Sequence, residues 1–96
     1  MAILWLPLAQ KDLHDIREQI MVDKPAAADR EVAKIIEASE HLNQFRYLGH
    51  TGRWPESREL VIDGTYILAY RQDGEDIELL AALRAEREWP ETPFER

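Results

Sequence analysis

The chain opens on a short apolar stretch. Residues 2–6, Ala-Ile-Leu-Trp-Leu, end at Pro7 and predict a buried strand. From Leu8 the period lengthens. Leu8, Leu13, Ile16 and Ile20 fall on one helical stripe, Lys11, Asp12, Asp15 and Glu18 fall away from it, and Pro7 suits the first helical position. Asp23-Lys24-Pro25 breaks that helix. Pro25 then opens a second one, with Ala28, Val32, Ile35, Ile36, Ser39 and Leu42 as its inner stripe. Two amphipathic helices so closely joined predict an antiparallel hairpin. Residues 43–55 hold Gly49, Gly52 and Pro55, show no period and read as a loop. Beyond it residues 58–62, 65–71 and 76–84 read as strands, separated by Asp63-Gly64 and Asp73-Gly74. Asp-Gly between strands is a strong hairpin signal, because a type I′ turn needs positive φ at both central residues. Residues 85–96, with Trp89, Pro90 and Pro93, read as an irregular tail. The order β-α-α-β-β-β is that of a single α+β domain over residues 1–96, an N-terminal helical hairpin packed on an antiparallel sheet.

Two-residue turns at both Asp-Gly pairs set a register. Ile62 then pairs with Thr65 and Gln72 with Glu75, Arg71 faces Asp76, and Arg58 and Glu78 flank Ala69. One face carries Val61, Tyr66, Leu68, Tyr70, Ile77, Leu79, Ala81 and Leu83 and is expected against the hairpin. The other is half apolar and half charged, with Leu60, Ile62, Ile67 and Leu80 among its apolar positions. Few elements remain to cover it, so it is expected to be an exposed binding surface. Trp5 is expected to cap the core, whereas Trp54 and Trp89 stand either as partner anchors or as packing.

Composition narrows the functional classes. The 96 residues include 12 Lys and Arg against 19 Asp and Glu, a formal net charge of −7. The deficit holds on both sides of Gly52, with 6 basic and 8 acidic residues before it and 6 and 11 after it. Direct nucleic-acid binding is therefore disfavoured, since phosphate neutralisation supplies most non-specific affinity. The absence of cysteine rules out disulfides, thiolate catalysis and Cys-based zinc sites. The longest apolar run, residues 2–9, is interrupted by Pro7 and too short to span a bilayer, so the chain is read as cytoplasmic with no membrane association. His14, His41 and His50 lack metal-ligand spacing, and Gly49-His50-Thr51-Gly52 lacks the length of a phosphate loop, so neither metal nor cofactor is expected.

Residues 57–90 resemble the C-terminal half of the ParE/RelE superfamily of toxins. The pieces that carry the likeness are Arg58-Glu59-Leu60, the strand from Tyr66 that ends in Tyr70-Arg71, the apolar run of residues 77–83, and Arg87-Glu88-Trp89-Pro90. In the N-terminal half they are the short first strand, Ala9 with Asp12-Leu13 and Ile16, Pro25-Ala26-Ala27, the long second helix and Gly52-Arg53. The resemblance spans about residues 2–90 and implies the toxin of a type II toxin–antitoxin pair, of the kind tied to plasmid stabilisation. ParE-like members poison DNA gyrase; RelE-like members cut mRNA in the ribosomal A site. Both are silenced by a co-encoded antitoxin.

The residues favour the ParE-like branch. RNA cleavage needs cations on the phosphate and a group that moves a proton. The resemblance places lysines and arginines there, with a Tyr or His near the C-terminus. Here no lysine follows Lys34, the last Tyr is Tyr70 and the last His is His50, and the end of the last strand reads Leu83-Arg84-Ala85. No catalytic residue is assigned, and a target binder is expected in place of an endoribonuclease. A RelE-like endoribonuclease and a decayed member that only binds its antitoxin stand as alternatives. Arg58 and Arg71 stand as a cluster, serving either as phosphate clamps or as ion pairs. Arg84, Arg87, Trp89 and Pro90 are expected to contact the target, gyrase, because Arg and Trp are enriched at interface hot spots and proline stiffens the tail. Leu60, Ile62, Ile67 and Leu80 are expected beneath the antitoxin, which would also run along the helical hairpin.

Overall fold

A computed structural model describes residues 2–94; the first residue and the last two residues of the predicted tail lie outside it. The elements are β1 (Ile3–Trp5), α1 (Pro7–Asp23), α2 (Pro25–His41), β2 (His50–Thr51), β3 (Arg58–Ile62), β4 (Tyr66–Asp73) and β5 (Asp76–Arg84). This is the α+β order expected, with β2 added inside the segment read as loop. The two helices pack on a five-stranded sheet of order β1-β5-β4-β3-β2. The sheet is mixed, not wholly antiparallel, because β1 runs parallel to β5, with Ile3 opposite Ile77 and Trp5 opposite Leu79.

Both helices begin on proline, whose missing N–H costs nothing in a first turn. Lys24 leaves helical geometry between them, at φ −143°, and lets the chain reverse. Arg17 and Asp29 (2.9 Å) tie the hairpin on its outside, and Lys34 reaches Asp63 (3.0 Å) beyond β3. No helix among the described residues is long and apolar enough to cross a membrane.

The register differs from the expectation in both hairpins. Asp63 (φ 52°) and Gly64 (φ 69°) do form the tight turn, closed by the Thr65 N–H donating to the Ile62 carbonyl at 3.1 Å. Thr65 is nevertheless left over, and Ile62 pairs with Tyr66. The second loop is Gly74-Glu75 between paired Asp73 and Asp76, with glycine (φ 62°) at the first central position as in a type II′ turn. A slip of one residue exchanges faces. Leu60 and Ile62 therefore face the helices, whereas Val61 faces away and is exposed.

In β5 the change relative to β4 is two residues, so Ile77 and Leu79 keep the expected face. An irregularity between Ala69 and Tyr70 then makes Leu80 an extra residue. It sends Ala81 and Leu83 to the far face and Ala82 to the helices. Arg71 consequently stands opposite Glu78, not Asp76, with Nε 2.6 Å from Oε1. Arg58 stands opposite Tyr70 on the helix-side face, so it neither flanks Ala69 beside Glu78 nor joins Arg71 in one cluster.

The main core lies between helices and sheet. Ile16, Ile35, Leu42, Leu68, Tyr70, Ile77 and Leu79 belong to it, and Trp5 packs against its edge as expected. A second cluster covers the far face: Trp54, Ala69, Leu80, Ala81 and Leu83, with Leu6 and Trp89 packed against it. The expected bare apolar face is thus closed by the chain's own loop and tail. Leu80 lies under that cover, Ile67 is also buried, and Leu60 and Ile62 lie on the helix side, so the four do not make one exposed surface.

Candidate functional site

The site is assembled where the tail returns over the end of β5. β1 stops at Trp5, which leaves the rest of β5 without that neighbour. There the Asp12 carboxylate, buried on α1, accepts the Ala82 N–H at 3.1 Å. Asp12 thus turns inward, against the expectation from the helical stripe, because it serves a strand edge and not a hydrophobic contact.

Past Arg84 the chain turns, with the Arg87 N–H donating to the Arg84 carbonyl at 3.2 Å. Arg87, Glu88, Trp89 and Pro90 then form one wall of a cleft of about 490 Å³, and Leu8, Lys11, Asp12 and Asp15 of α1 form the other. The structure therefore brings three of the four expected target residues, Arg87, Trp89 and Pro90, into one cleft. Arg84 stands beside it. Its guanidinium lies 5.6 Å from the Tyr66 ring, and it shares with Arg87 a small cavity of about 60 Å³ next to Gln19.

Trp89 is not loose. Its ring centroid lies 5.1 Å from that of Trp54, tilted by 46°, and the Arg53 guanidinium covers it at 3.8 Å. Trp54 donates through Nε1 to the Pro90 carbonyl at 3.0 Å. Arg53 is in turn gripped by Glu59. The Glu59 carboxylate, 3 % exposed, accepts from Arg53 Nε at 2.9 Å, from Nη2 at 3.0 Å and from the Arg53 backbone N–H at 2.8 Å. Burial pushes the Glu59 carboxyl up, but the hydrogen bonds and charge of Arg53, helped by His50, outweigh it and hold the group below the ordinary glutamate range. Trp89 packs on this loop, on the side of the sheet away from the helices.

The remaining arginines are engaged elsewhere. Arg58 donates to the Gly49 carbonyl at 2.7 Å and lies 4.9 Å from the Tyr47 ring; Arg71 is held by Glu78. The Tyr70 hydroxyl donates to the Arg46 carbonyl and accepts the Gly49 N–H, each at 2.9 Å. Burial lifts the Tyr70 phenol above its ordinary range, over the opposing pull of the Gly49 amide and the Arg58 charge. Sequence reasoning missed Arg53, Glu59 and Asp12. The available signal was an acidic residue in a strand otherwise apolar from 60 to 62, one turn of loop away from an arginine and a tryptophan. A second cleft, about 460 Å³ and chiefly apolar, lies on the hairpin among Trp5, Leu13, Val32 and Ile36, with His14 and Arg17 at its border.

The family model of the ParE toxin of the type II toxin–antitoxin system parDE matches residues 3–89. The chain belongs to the ParE toxin family. A candidate toxin of Sinorhizobium fredii, Y4kP, is 38 % identical over 90 residues, covering 93 % of each chain. A solved structure of the chromosomal ParDE TA system from P. aeruginosa matches with a TM-score of 0.83 and 27 % identity, over 90 % of this chain and 97 % of that one. The expected recognition and α+β fold are thus borne out. As a ParE-family toxin of a parDE-type system, the chain has an implied antitoxin partner.

Proposed function

We propose that this ParE-family toxin arrests growth by binding DNA gyrase through the tail cleft and is neutralised by its cognate antitoxin. The observation that carries the reading is the placement of Arg87, Trp89 and Pro90 on one wall of a cleft against α1. Arginine and tryptophan are the side chains richest in binding energy at interfaces, and a tail already stacked in place loses little entropy on docking. Arg84 borders the same surface. The antitoxin's seat is the apolar cleft of the hairpin, since Ile62, Ile67 and Leu80 are buried by the chain itself and Leu60 is partly buried against its core. A segment that folds along the hairpin buries area there and stabilises the toxin by mass action. Action on gyrase places the protein in the cytoplasm and requires no catalysis, cofactor or metal.

A gyrase supercoiling assay run beside ribosome-dependent mRNA cleavage tests the target. The expected result is inhibition of supercoiling that Arg87→Ala abolishes, with mRNA left whole. Cleavage of mRNA at the ribosomal A site that Arg84→Ala or Arg87→Ala removes would overturn the reading in favour of an endoribonuclease. Binding of antitoxin with neither activity would leave only a decayed member. Solvent-protection mapping of the antitoxin complex tests the seat, and an unprotected hairpin cleft would refute it.

A further inference from the structure

We infer that Arg53, clamped by the buried Glu59, is the positioning residue that sets the tail of this toxin. Glu59, Ala69 and Ala81 lie opposite one another across β3, β4 and β5. Two alanines in the middle of a sheet face leave a hollow, and Trp54 fills it, 3 % exposed. Glu59 is next in that row, with His50 of β2 beyond it, and is 3 % exposed, where a carboxylate would be costly without a partner. Arg53 supplies one through a single edge of its guanidinium, Nε and Nη2, so its plane is fixed by two hydrogen bonds to one carboxylate. The loop that carries Arg53 is itself set. The Gly52 N–H donates to the Ser57 carbonyl at 2.9 Å, and the Ser57 hydroxyl to the Trp54 carbonyl at 2.7 Å. A Cβ on Gly52 would stand 2.4 Å from Ser57 Oγ, so the two turns of the loop close on each other.

The consequence lies on the free face of the guanidinium. A plane fixed by Glu59 presents that face to Trp89 at 3.8 Å, while Trp54 holds the same indole from another side and binds the Pro90 carbonyl. The tail has no helix or strand of its own between Ala85 and Phe94. Its course over Trp89 and Pro90 is therefore set by Arg53 and Trp54, beside a long hydrogen bond from Trp89 Nε1 to the Arg84 carbonyl at 3.4 Å, and with it the wall of the cleft that carries Arg87. Glu59 and Arg53 themselves need not touch the target. The functional half of this inference rests on the reading of the tail as target-facing; the structural half does not.

The test separates the two halves. Trp54 and Trp89 are close and tilted, so their coupled transitions give a circular-dichroism couplet, a signature of a docked tail that global stability alone does not move. Arg53→Lys keeps the positive charge beside Glu59 and loses the planar stack and the two-pronged grip. The Arg53→Lys chain is expected to unfold at nearly the wild-type temperature and to bind antitoxin within about threefold of wild type. It should lose most of the couplet and arrest growth at least about tenfold more weakly. Trp89→Phe, read beside it, defines the couplet's zero. Should Arg53→Lys prove unstable, Glu59→Gln serves, since it removes the charge and one of the two acceptors that fix the guanidinium plane and leaves the stack's partners in place. A couplet unchanged in both variants overturns the inference, as does a lost couplet with full growth arrest. A wild-type chain that arrests growth without inhibiting gyrase overturns the gyrase reading alone, because couplet and arrest in the variants still decide the role of Arg53.

Discussion

The two faces of this sheet are closed by different means. The helix side is a layered core in which Ile35, Leu68, Ile77 and Leu79 are wholly buried, each contributed by a regular element. The far side is closed by Trp54 from a loop and Trp89 from a tail, laid over Ala69, Leu80, Ala81 and Leu83. Regular elements bury a stripe, so many residues share the burden on the first face. On the second face one indole fills the space that two alanines leave, and an arginine held by a buried carboxylate fixes the next indole. The first arrangement is redundant and supports the fold. The second depends on a few single contacts and places the residues proposed to meet the target.

Substitutions can break this contrast. The largest effect is expected on the helix side. Leu79→Ala should cost about 2–5 kcal/mol in urea unfolding, from lost transfer energy and a cavity that its packed neighbours cannot fill. Toxicity would then fall together with the folded fraction. Gly49→Ala should follow, at about 1–3 kcal/mol by the same measurement. Its Cβ would stand 2.7 Å from the Glu59 carbonyl oxygen and 2.9 Å from Tyr70 Cε1, so strand backbone has to yield.

A smaller effect, confined to the far side, is expected from pH. The Glu59 carboxyl is held below its ordinary range in the folded chain, so it contributes stability above its unfolded pKa and loses it as pH falls through the depressed folded value. Urea midpoints taken downward from pH 6 should therefore fall more steeply in wild type than in Glu59→Gln. Parallel curves would show that the Arg53 clamp adds nothing. The smallest effect on stability is expected from Trp89→Ala, about 1 kcal/mol by thermal unfolding, because the indole is only half-buried and held mainly by its ring contacts. Growth arrest should nevertheless be lost and antitoxin binding kept. A cost near that of Leu79→Ala would make Trp89 a core residue and erase the distinction between the faces.

Sequence alone determined the parts that rest on local geometry. Proline at residues 7 and 25 and the apolar stripes placed both helices, and alternation with Asp-Gly pairs placed the strands of both hairpins. Arg87, Trp89 and Pro90 were legible as a cluster because they lie within four residues of one another, and the ordered motifs pointed to the family. Tertiary structure decided the rest. A single extra residue, Thr65 at one turn and Leu80 in β5, exchanges the faces of a strand, and the energy that chooses it comes from packing against distant elements, which local pattern does not carry. That choice sent Leu60 and Ile62 to the helices and Ala81 and Leu83 to Trp54. Asp12 turned inward for the Ala82 N–H, 70 residues away in the chain, and Glu59 for Arg53, across a loop with no period. Buried polar groups take their partners by position in space, and a helical or strand period records only burial along one element.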